Sequence, residues 1–339
     1  MKYKKKFLYT FLMCIILSSS GWSKGIQNNV IIYTSHDQIY SEPILDLFEK
    51  ISGIKVKAVY DVEATKTTGI VNRLIAEKNH PRCDVFWNNE NIRTIVLKEK
   101  GILQRYISDS AKDIPKGFKD PEGFWTGFAA RSRVIIYNKD MVDVDDFPKS
   151  IYDFTDRKWN GQVAIANPLF GTTATHAAAL FAYLGNAKAI SFFQALKENH
   201  VIIAQGNSVV KDQVANGELM AGLTDTDDAN MAILAGKPIG IVMPDQDGMG
   251  TLLIPNTVVL INNCPNPENG KKFIDFLLSK EIESKLAFSS SVQIPVRNDV
   301  TKPATTPSFD SIRSMDISYD EIADKMEETA QYIKNYFLR

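Results

Sequence analysis

The sequence predicts an α/β fold of two lobes joined by two hinge strands, from three observations. A β-rich run, a polar loop and a helical pattern follow one another three times in the first hundred residues. The same order returns from residue 163, and two further β-rich segments lie where the chain passes between the units. This alternation predicts a parallel sheet covered by helices. The length of 339 residues suffices for two domains with a core each.

The first unit has predicted strands at 30–33, 54–59 and 84–87, and a polar loop follows each. A helix from Pro43 to Ile51, ended by Gly53, is predicted after the first loop. Ligands bind at the carboxyl ends of strands in open α/β sheets, so these loops are expected to line a site. The residues expected there are Ser35, His36, Asp37, Thr67, Asn89 and Glu90.

The second unit has predicted strands at 163–166, 201–203, 220–223 and 239–243. A turn at 167–171 precedes a helix to Ala182, which Thr172 or Thr173 is expected to cap. These loops should face the same site. The residues expected there are Gly171, Thr172, Thr173, Asp225, Asp227 and Asp228.

The segments 131–137 and 257–261 are the predicted hinge strands. They divide the chain into lobe 1 (24–133 and 255–300) and lobe 2 (134–254). A C-terminal helical segment, 301–339, is expected to pack on the lobes. Amphipathic helices are predicted at 267–286 and 319–337.

Residues 1–23 are typical of a secretory signal peptide. Four lysines precede an apolar run at 7–17, and small residues follow it up to Ser23. The run is shorter than the ~20 residues of a membrane span, and Cys14 follows Met13, where a lipoprotein needs a small residue. We therefore expect export with cleavage near Ser23, and a lipoprotein is the less favoured alternative.

The composition is that of a folded, nearly neutral protein. Apolar residues make up 44% of the chain and charged residues 23%, with a net charge of −1 at pH 7. These values exclude a disordered chain and give no basis for nucleic-acid binding. Nucleophile, Walker A, zinc-protease and dinucleotide-binding motifs are absent from the sequence, so a secreted enzyme is the less favoured class.

Two of the loops expected to line the site have opposite electrostatic character, one acidic and one suited to an anion. Three aspartates, Asp225, Asp227 and Asp228, fall within four residues and indicate either a cation site or a solvated loop that caps a helix. The helix start at 171–173 can bind an anion through free N–H groups. Together they suit a zwitterion, or a metal carried with an anion. His36 could be a ligand, whereas His176 falls on an apolar helix and is expected to be packed.

Several segments resemble bacterial extracellular solute-binding proteins of the ferric-iron-binding branch, the receptors of ABC importers. The resemblance rests on the segments 30–33, 52–56, 83–87, 127–137, 159–161, 217–219 and 268–278. It implies the type II periplasmic binding protein clamshell, a monomer in the periplasm, and an inner-membrane ABC permease as partner. It also implies ferric iron, or an iron–anion complex, as the first guess for the transported ligand.

One departure from this family concerns its iron ligands. The tyrosine pair that binds iron in that branch falls on Asp227 and Asp228 here, and the metal-binding histidine falls near His36 or Asp37. The family's glutamate falls near Asn89 or Glu90, and its anion loop on 171–173. The resemblance therefore implies Asp227, Asp228 and His36 as candidate metal ligands. Phosphorylated sugars, phosphonates and thiamine are the alternative ligands.

Two cysteines, Cys83 and Cys264, remain after cleavage. The residues alone leave open a disulfide or two buried thiols. In the topology that the resemblance implies, Cys83 precedes the third strand and Cys264 follows the return strand beside it. The resemblance thus implies a disulfide between them.

Overall fold

The computed structural model describes residues 28–61 and 67–339. Within that part of the chain, ten strands form a continuous mixed sheet in the order β2-β1-β3-β10-β5-β8-β6-β7, with β4 paired to β10 and β9 paired to β5. The strands are β1 (Asn29–Thr34), β2 (Lys55–Tyr60), β3 (Val85–Asn88), β4 (Leu103–Gln104), β5 (Thr126–Asn138), β6 (Val163–Ala166), β7 (Ile202–Ala204), β8 (Ala221–Asp225), β9 (Ile239–Val242) and β10 (Leu253–Ile261).

Helices cover the sheet and fall where the apolar periodicity places them. They are α1 (Gln38–Ser52), α2 (Thr68–Ala76), α3 (Ile92–Glu99), α4 (Gly171–Leu184), α5 (Asn186–Glu198), α6 (Asn207–Ala215), α7 (Thr226–Leu234), α8 (Pro267–Leu277), α9 (Lys280–Phe288) and α10 (Tyr319–Tyr332). The predicted signal peptide lies outside the described residues. None of the helices within 28–61 and 67–339 has both the length and the apolarity that a membrane span requires.

The first half of the sheet is parallel at its outer edge. Strand β1 runs parallel to both β2 and β3, and β10 returns antiparallel to β3. Helix α1 buries Ile44, Leu45 and Phe48 and ends at Gly53, whose φ of 68° closes the helix in the left-handed region. This arrangement confirms the three predicted strands and places their following loops at one edge of the sheet.

Strand β5 connects the two halves. Its residues 126–132 pair with β10, whereas residues 133–138 pair with β8 and β9. All thirteen of its residues are buried. The predicted hinge segment 131–137 therefore lies within a longer strand that runs through both halves. The second predicted hinge segment lies within β10, which begins four residues earlier, at Leu253.

Both connecting strands are irregular at one shared place. Ala129 of β5 has a φ of 43°, and the register of β10 against β5 shifts between Pro255 and Asn256. The amide of Asn256 donates to the Ala129 carbonyl, and Glu283 of α9 accepts from the Ala129 N–H at 3.0 Å. A bulge re-aims the strand that contains it. The side chains that follow in β5 thereby reach the rim of the second half.

The C-terminal region differs from the predicted pattern in one respect. The predicted helix at 267–286 is two helices, because Ser279 accepts from the Ile282 N–H and starts α9. The last helix begins at a capping box of Ser318 and Glu321 and continues as a π turn, Ile333–Phe337. Helix α10 packs against α4 of the second half and against α3 of the first.

The predicted disulfide is wrong. Cys83 and Cys264 are both buried free thiols. The Cys83 Sγ donates to the Val85 carbonyl at 3.0 Å, and it also lies close enough to Cys264 for the two thiols to interact electrostatically. Burial raises the pKa of Cys83 well above its ordinary value and that of Cys264 to about 12, so both thiols stay protonated and unreactive at neutral pH.

We expect the protein without residues 1–23 to react with an aromatic disulfide reagent only after unfolding. In denaturant without reductant, two thiols per chain should react with the reagent. In the native protein close to none should react, because burial disfavours the thiolate. Intact mass after alkylation in denaturant checks the number. A chain that takes no alkyl group and is two hydrogens lighter would show the disulfide instead.

Candidate functional site

A cleft opens where the two halves of the sheet meet. Helix α1 starts at the first wall, and α4, α6 and α7 start at the second, because residues at the start of each of these helices line the cleft. The positive ends of these four helix dipoles favour negative charge there. Eight of the predicted site residues line this cleft: Asp37, Asn89, Gly171, Thr172, Thr173, Asp225, Asp227 and Asp228.

Three other predicted residues lie behind the cleft and position the residues that line it. The Ser35 hydroxyl accepts from the Asn89 N–H at 3.0 Å, and the Thr67 hydroxyl donates to the Asn89 Oδ1 at 2.9 Å. Glu90 is fully buried and accepts from the N–H groups of Ile92 (2.6 Å) and Arg93 (3.1 Å). Ser35 and Thr67 orient Asn89, while Glu90 caps α3.

His36 and His176, the two histidines considered in the sequence analysis, are both packed against other side chains. The ring of His36 is buried between Tyr40 and Trp87, with centroid distances of 5.7 and 5.1 Å. His176 is buried on α4 as predicted; burial and the nearby charge of Arg133 lower its pKa to about 3. His176 is thus neutral at physiological pH.

Asp225 is the most highly coordinated side chain of the cleft. Its Oδ1 accepts from Arg133 Nη1 at 2.5 Å, and its Oδ2 accepts from the Thr172 hydroxyl at 2.6 Å and from the Asn207 amide at 3.0 Å. Arg131 Nη1 adds a contact at 3.2 Å. Both carboxylate oxygens are committed to protein donors, so Asp225 organises the second wall of the cleft.

Burial alone would raise the pKa of Asp225. The adjacent guanidinium groups of Arg133 and Arg131 outweigh burial and hold that pKa below its ordinary value. The Asp225 side chain is 1% exposed and that of Arg133 is 0% exposed, so this ion pair is screened little by solvent. The carboxylate therefore stays ionised at neutral pH.

Arg131 links the two walls. Its Nη1 lies 3.2 Å from both Asp225 and Asp227, and its Nη2 donates to the Asn89 carbonyl at 2.6 Å. Burial lowers the pKa of Arg131, but Asp227 and Asp225 raise it by more, so the net direction is upward. The guanidinium is thus a permanent positive charge at the base of the cleft.

The acidic cluster and the start of α4 lie on the same wall. One carboxylate oxygen each from Asp225, Asp227 and Asp228 lies within 4.8 Å of the others, a spacing at which oxygen ligands can hold a metal ion. Helix α4 starts at Gly171, which has a φ of 53°, and its first internal bond runs from the Ala174 N–H to the Phe170 carbonyl. The preceding N–H groups form the open, positive end of the helix.

Arg131 and Arg133 were not predicted as site residues, nor was Asn207. The spacing of the two arginines was the available signal, because alternate residues of a strand point to the same side. Two arginines on one face of a buried strand require carboxylate partners, and the cluster at 225–228 supplies three carboxylates at the end of a strand in the second unit. The pairing could have been inferred, whereas the role of Asn207 carried no such signal.

We expect Asp225→Asn to destabilise the fold by about 3–5 kcal/mol, because it leaves the buried Arg133 guanidinium without its carboxylate partner and removes one of the two carboxylates beside Arg131. The folded pKa of Asp225 lies below the unfolded value of ~3.9, so its contribution is present above that pH and is lost as the pH falls through the folded pKa. Urea unfolding should show the difference from wild type at pH 7 and its narrowing below pH 4.

Asp247→Asn is the matched control, since Asp247 is exposed and lies outside the cleft. Its free energy of unfolding should stay within about 0.5 kcal/mol of wild type. Equal stability of the Asp225 variant and this control would contradict the anchoring role.

Comparison with known proteins agrees with this geometry. The family model "Bacterial extracellular solute-binding protein" matches residues 44–310. The iron uptake protein A1 of Synechocystis is 26% identical over 326 residues, covering 91% of this chain and 89% of that protein. A putative 2-aminoethylphosphonate-binding periplasmic protein of Salmonella typhimurium is 25% identical, covering 91% of each chain.

The structure is also similar to the solved periplasmic binding protein AfuA of Actinobacillus pleuropneumoniae, described as fructose-6-phosphate bound. The TM-score is 0.81 at 22% identity, over 92% of this chain and 99% of AfuA. Iron, a phosphonate and a phosphorylated sugar are three of the ligands that the resemblance implies, and each is named for one of these three proteins. The fold is the two-lobed α/β clamshell of type II periplasmic binding proteins, and the chain belongs to the bacterial extracellular solute-binding proteins.

Proposed function

We propose that the chain is the substrate-binding receptor of an ABC importer, which captures a small ligand in the cleft and performs no chemistry on it. Membership of a solute-binding family supports this, together with a cleft lined by residues of both halves. Export with cleavage near Ser23 would place the receptor in the periplasm as a soluble monomer. There it would deliver its ligand to an inner-membrane permease.

The proposed movement follows from the two connecting strands. Lobe 1 would comprise residues 24–133 and 255–300, and lobe 2 residues 134–254, with the C-terminal segment 301–339 packed on both. Strands β5 and β10 cross between the lobes beside the irregularity at Ala129 and Asn256. Ligand contacts to both walls would then stabilise the closed arrangement over the open one.

The ligand class supported best is a small solute with an anionic group and a cationic or hydroxyl group. This proposal rests mainly on one observation: hydrogen-bond donors for an anion and carboxylate acceptors lie in the same cleft. The start of α4 and Arg131 provide donors for an anion such as a phosphonate or phosphate, and Asp227 and Asp228 provide acceptors a short distance away. A zwitterionic aminoalkylphosphonate meets both requirements, and a sugar phosphate meets them through its hydroxyls.

Ferric iron with an accompanying anion is the second candidate. The observation that favours it is the cluster of Asp225, Asp227 and Asp228, which brings three carboxylates within 4.8 Å. Asp227 and Asp228 are the proposed protein ligands, although Arg131 also donates to Asp227 and the Thr224 hydroxyl donates to Asp228. The anion would bind at the start of α4.

Native mass spectrometry of gently purified, exported protein, before and after denaturation, separates these candidates. A lost mass equal to a small organic phosphonate or phosphate supports the first. A lost iron-sized increment supports the second. When the two masses are equal, titration with 2-aminoethylphosphonate, glucose 6-phosphate and ferric citrate decides. A protein that binds none of these and converts one of them would contradict a receptor and favour an enzyme.

We expect the double variant Asp227→Asn, Asp228→Asn to bind 2-aminoethylphosphonate at least tenfold more weakly, a loss of about 1.4 kcal/mol. The affinity for ethylphosphonate, which lacks the ammonium group, should change far less because its recognition depends on the donors. Calorimetric titration of both ligands measures the contrast. An unchanged affinity for 2-aminoethylphosphonate in a folded variant would refute the role of the two aspartates.

A further inference from the structure

Arg93 stands apart from the other arginines at the cleft because it is buried without a matching acid. Its side chain belongs to the first turn of α3, and the residue is 8% exposed. The Nη1 group has no hydrogen-bond partner among the described residues, and Nη2 reaches only the Leu169 carbonyl, at 3.4 Å. Arg131 and Arg133, by contrast, form ion pairs with Asp225 at 3.2 and 2.5 Å.

The neighbouring glutamate does not form an ion pair with Arg93. Both carboxylate oxygens of Glu90 accept from the N–H groups at the start of α3, and Oε2 also accepts from the Thr175 hydroxyl at 3.4 Å. Burial lowers the pKa of Arg93, and the negative charges of Glu90 and Asp61 raise it by less, so the net direction is downward. A buried guanidinium with an unpaired N–H is costly and favours an anion beside it.

Arg93 also lies at a contact between the two halves, close to the cleft. It is carried by α3 of the first half, which begins three residues after the lining residue Asn89. Its contact, Leu169, belongs to the turn that leads into α4 of the second half and precedes the lining residue Phe170. The guanidinium is therefore buried where the two halves touch.

We propose that Arg93 is a specificity-determining residue: it donates to the anionic group of the ligand, and this contact makes closure of the two halves favourable. The inference rests on the proposed capture of a solute and names the ligand feature that triggers closure. Closing over Arg93 without an anion buries an uncompensated charge, whereas an anion completes its hydrogen bonds. A solute without a negative charge would leave that cost in place.

Three variants test the assignment, with 2-aminoethylphosphonate and inorganic phosphate as probes. Arg93→Met should lower the affinity for both at least tenfold, and Arg93→Lys should recover part of the loss because it restores the charge. Arg157→Met, at an exposed arginine in a short turn outside the cleft, should bind as wild type does. Without probe, Arg93→Met should unfold at the wild-type temperature or above it, because a buried charge has been removed.

The outcomes separate the inference from the function on which it rests. Wild-type affinity for both probes in Arg93→Met would overturn the inference and leave the receptor function intact. An Arg93→Met variant that melts well below wild type and keeps the probe-induced shift would show a structural residue instead. Binding of ferric citrate but of neither probe by wild type would also overturn it. A wild-type protein that binds no solute of any class would contradict the proposed function itself.

Discussion

The buried pairing of Asp225 with Arg131 and Arg133 is the interaction on which the rest of the cleft depends. It lies where β5 passes from the first half of the sheet to the second, at the change of partner from β10 to β8. Each partner comes from a different part of the chain: β5 supplies the arginines, the end of β8 supplies the aspartate, and the start of α4 supplies Thr172. Removal of any one leaves a buried charge or donor unsatisfied.

This network also explains why the acidic cluster is not simply a metal cage. Three carboxylates in isolation would repel each other and require a cation. Two guanidinium groups stand against the three carboxylates, and Arg131 is shared between Asp225 and Asp227, so the cluster keeps one net negative charge.

Much of the fold could be predicted from the sequence, because strand periodicity, helix caps and loop polarity are local. The strands at 30–33, 163–166 and 220–223 and the stop at Gly53 were predicted correctly. The break between α8 and α9 was missed, since the amphipathic pattern continues through Ser279 and only the cap interrupts it. The disulfide failed for a different reason: adjacent strand ends bring two cysteines near each other but do not fix the side-chain geometry that a bond requires, and both thiols are free.

The site was predicted as a set of loops, and that part required only the order of strands. What could not be predicted is which charges face each other, because Arg131 and Asp225 are 94 residues apart and meet only through the topology. That long-range pairing distinguishes the anchoring Asp225 from Asp227 and Asp228, which look identical to it in the sequence. It also distinguishes Arg93 from the paired arginines, because nothing local separates a guanidinium that has a carboxylate partner from one that has none. The proposed selectivity therefore depends on which charges the fold leaves uncompensated.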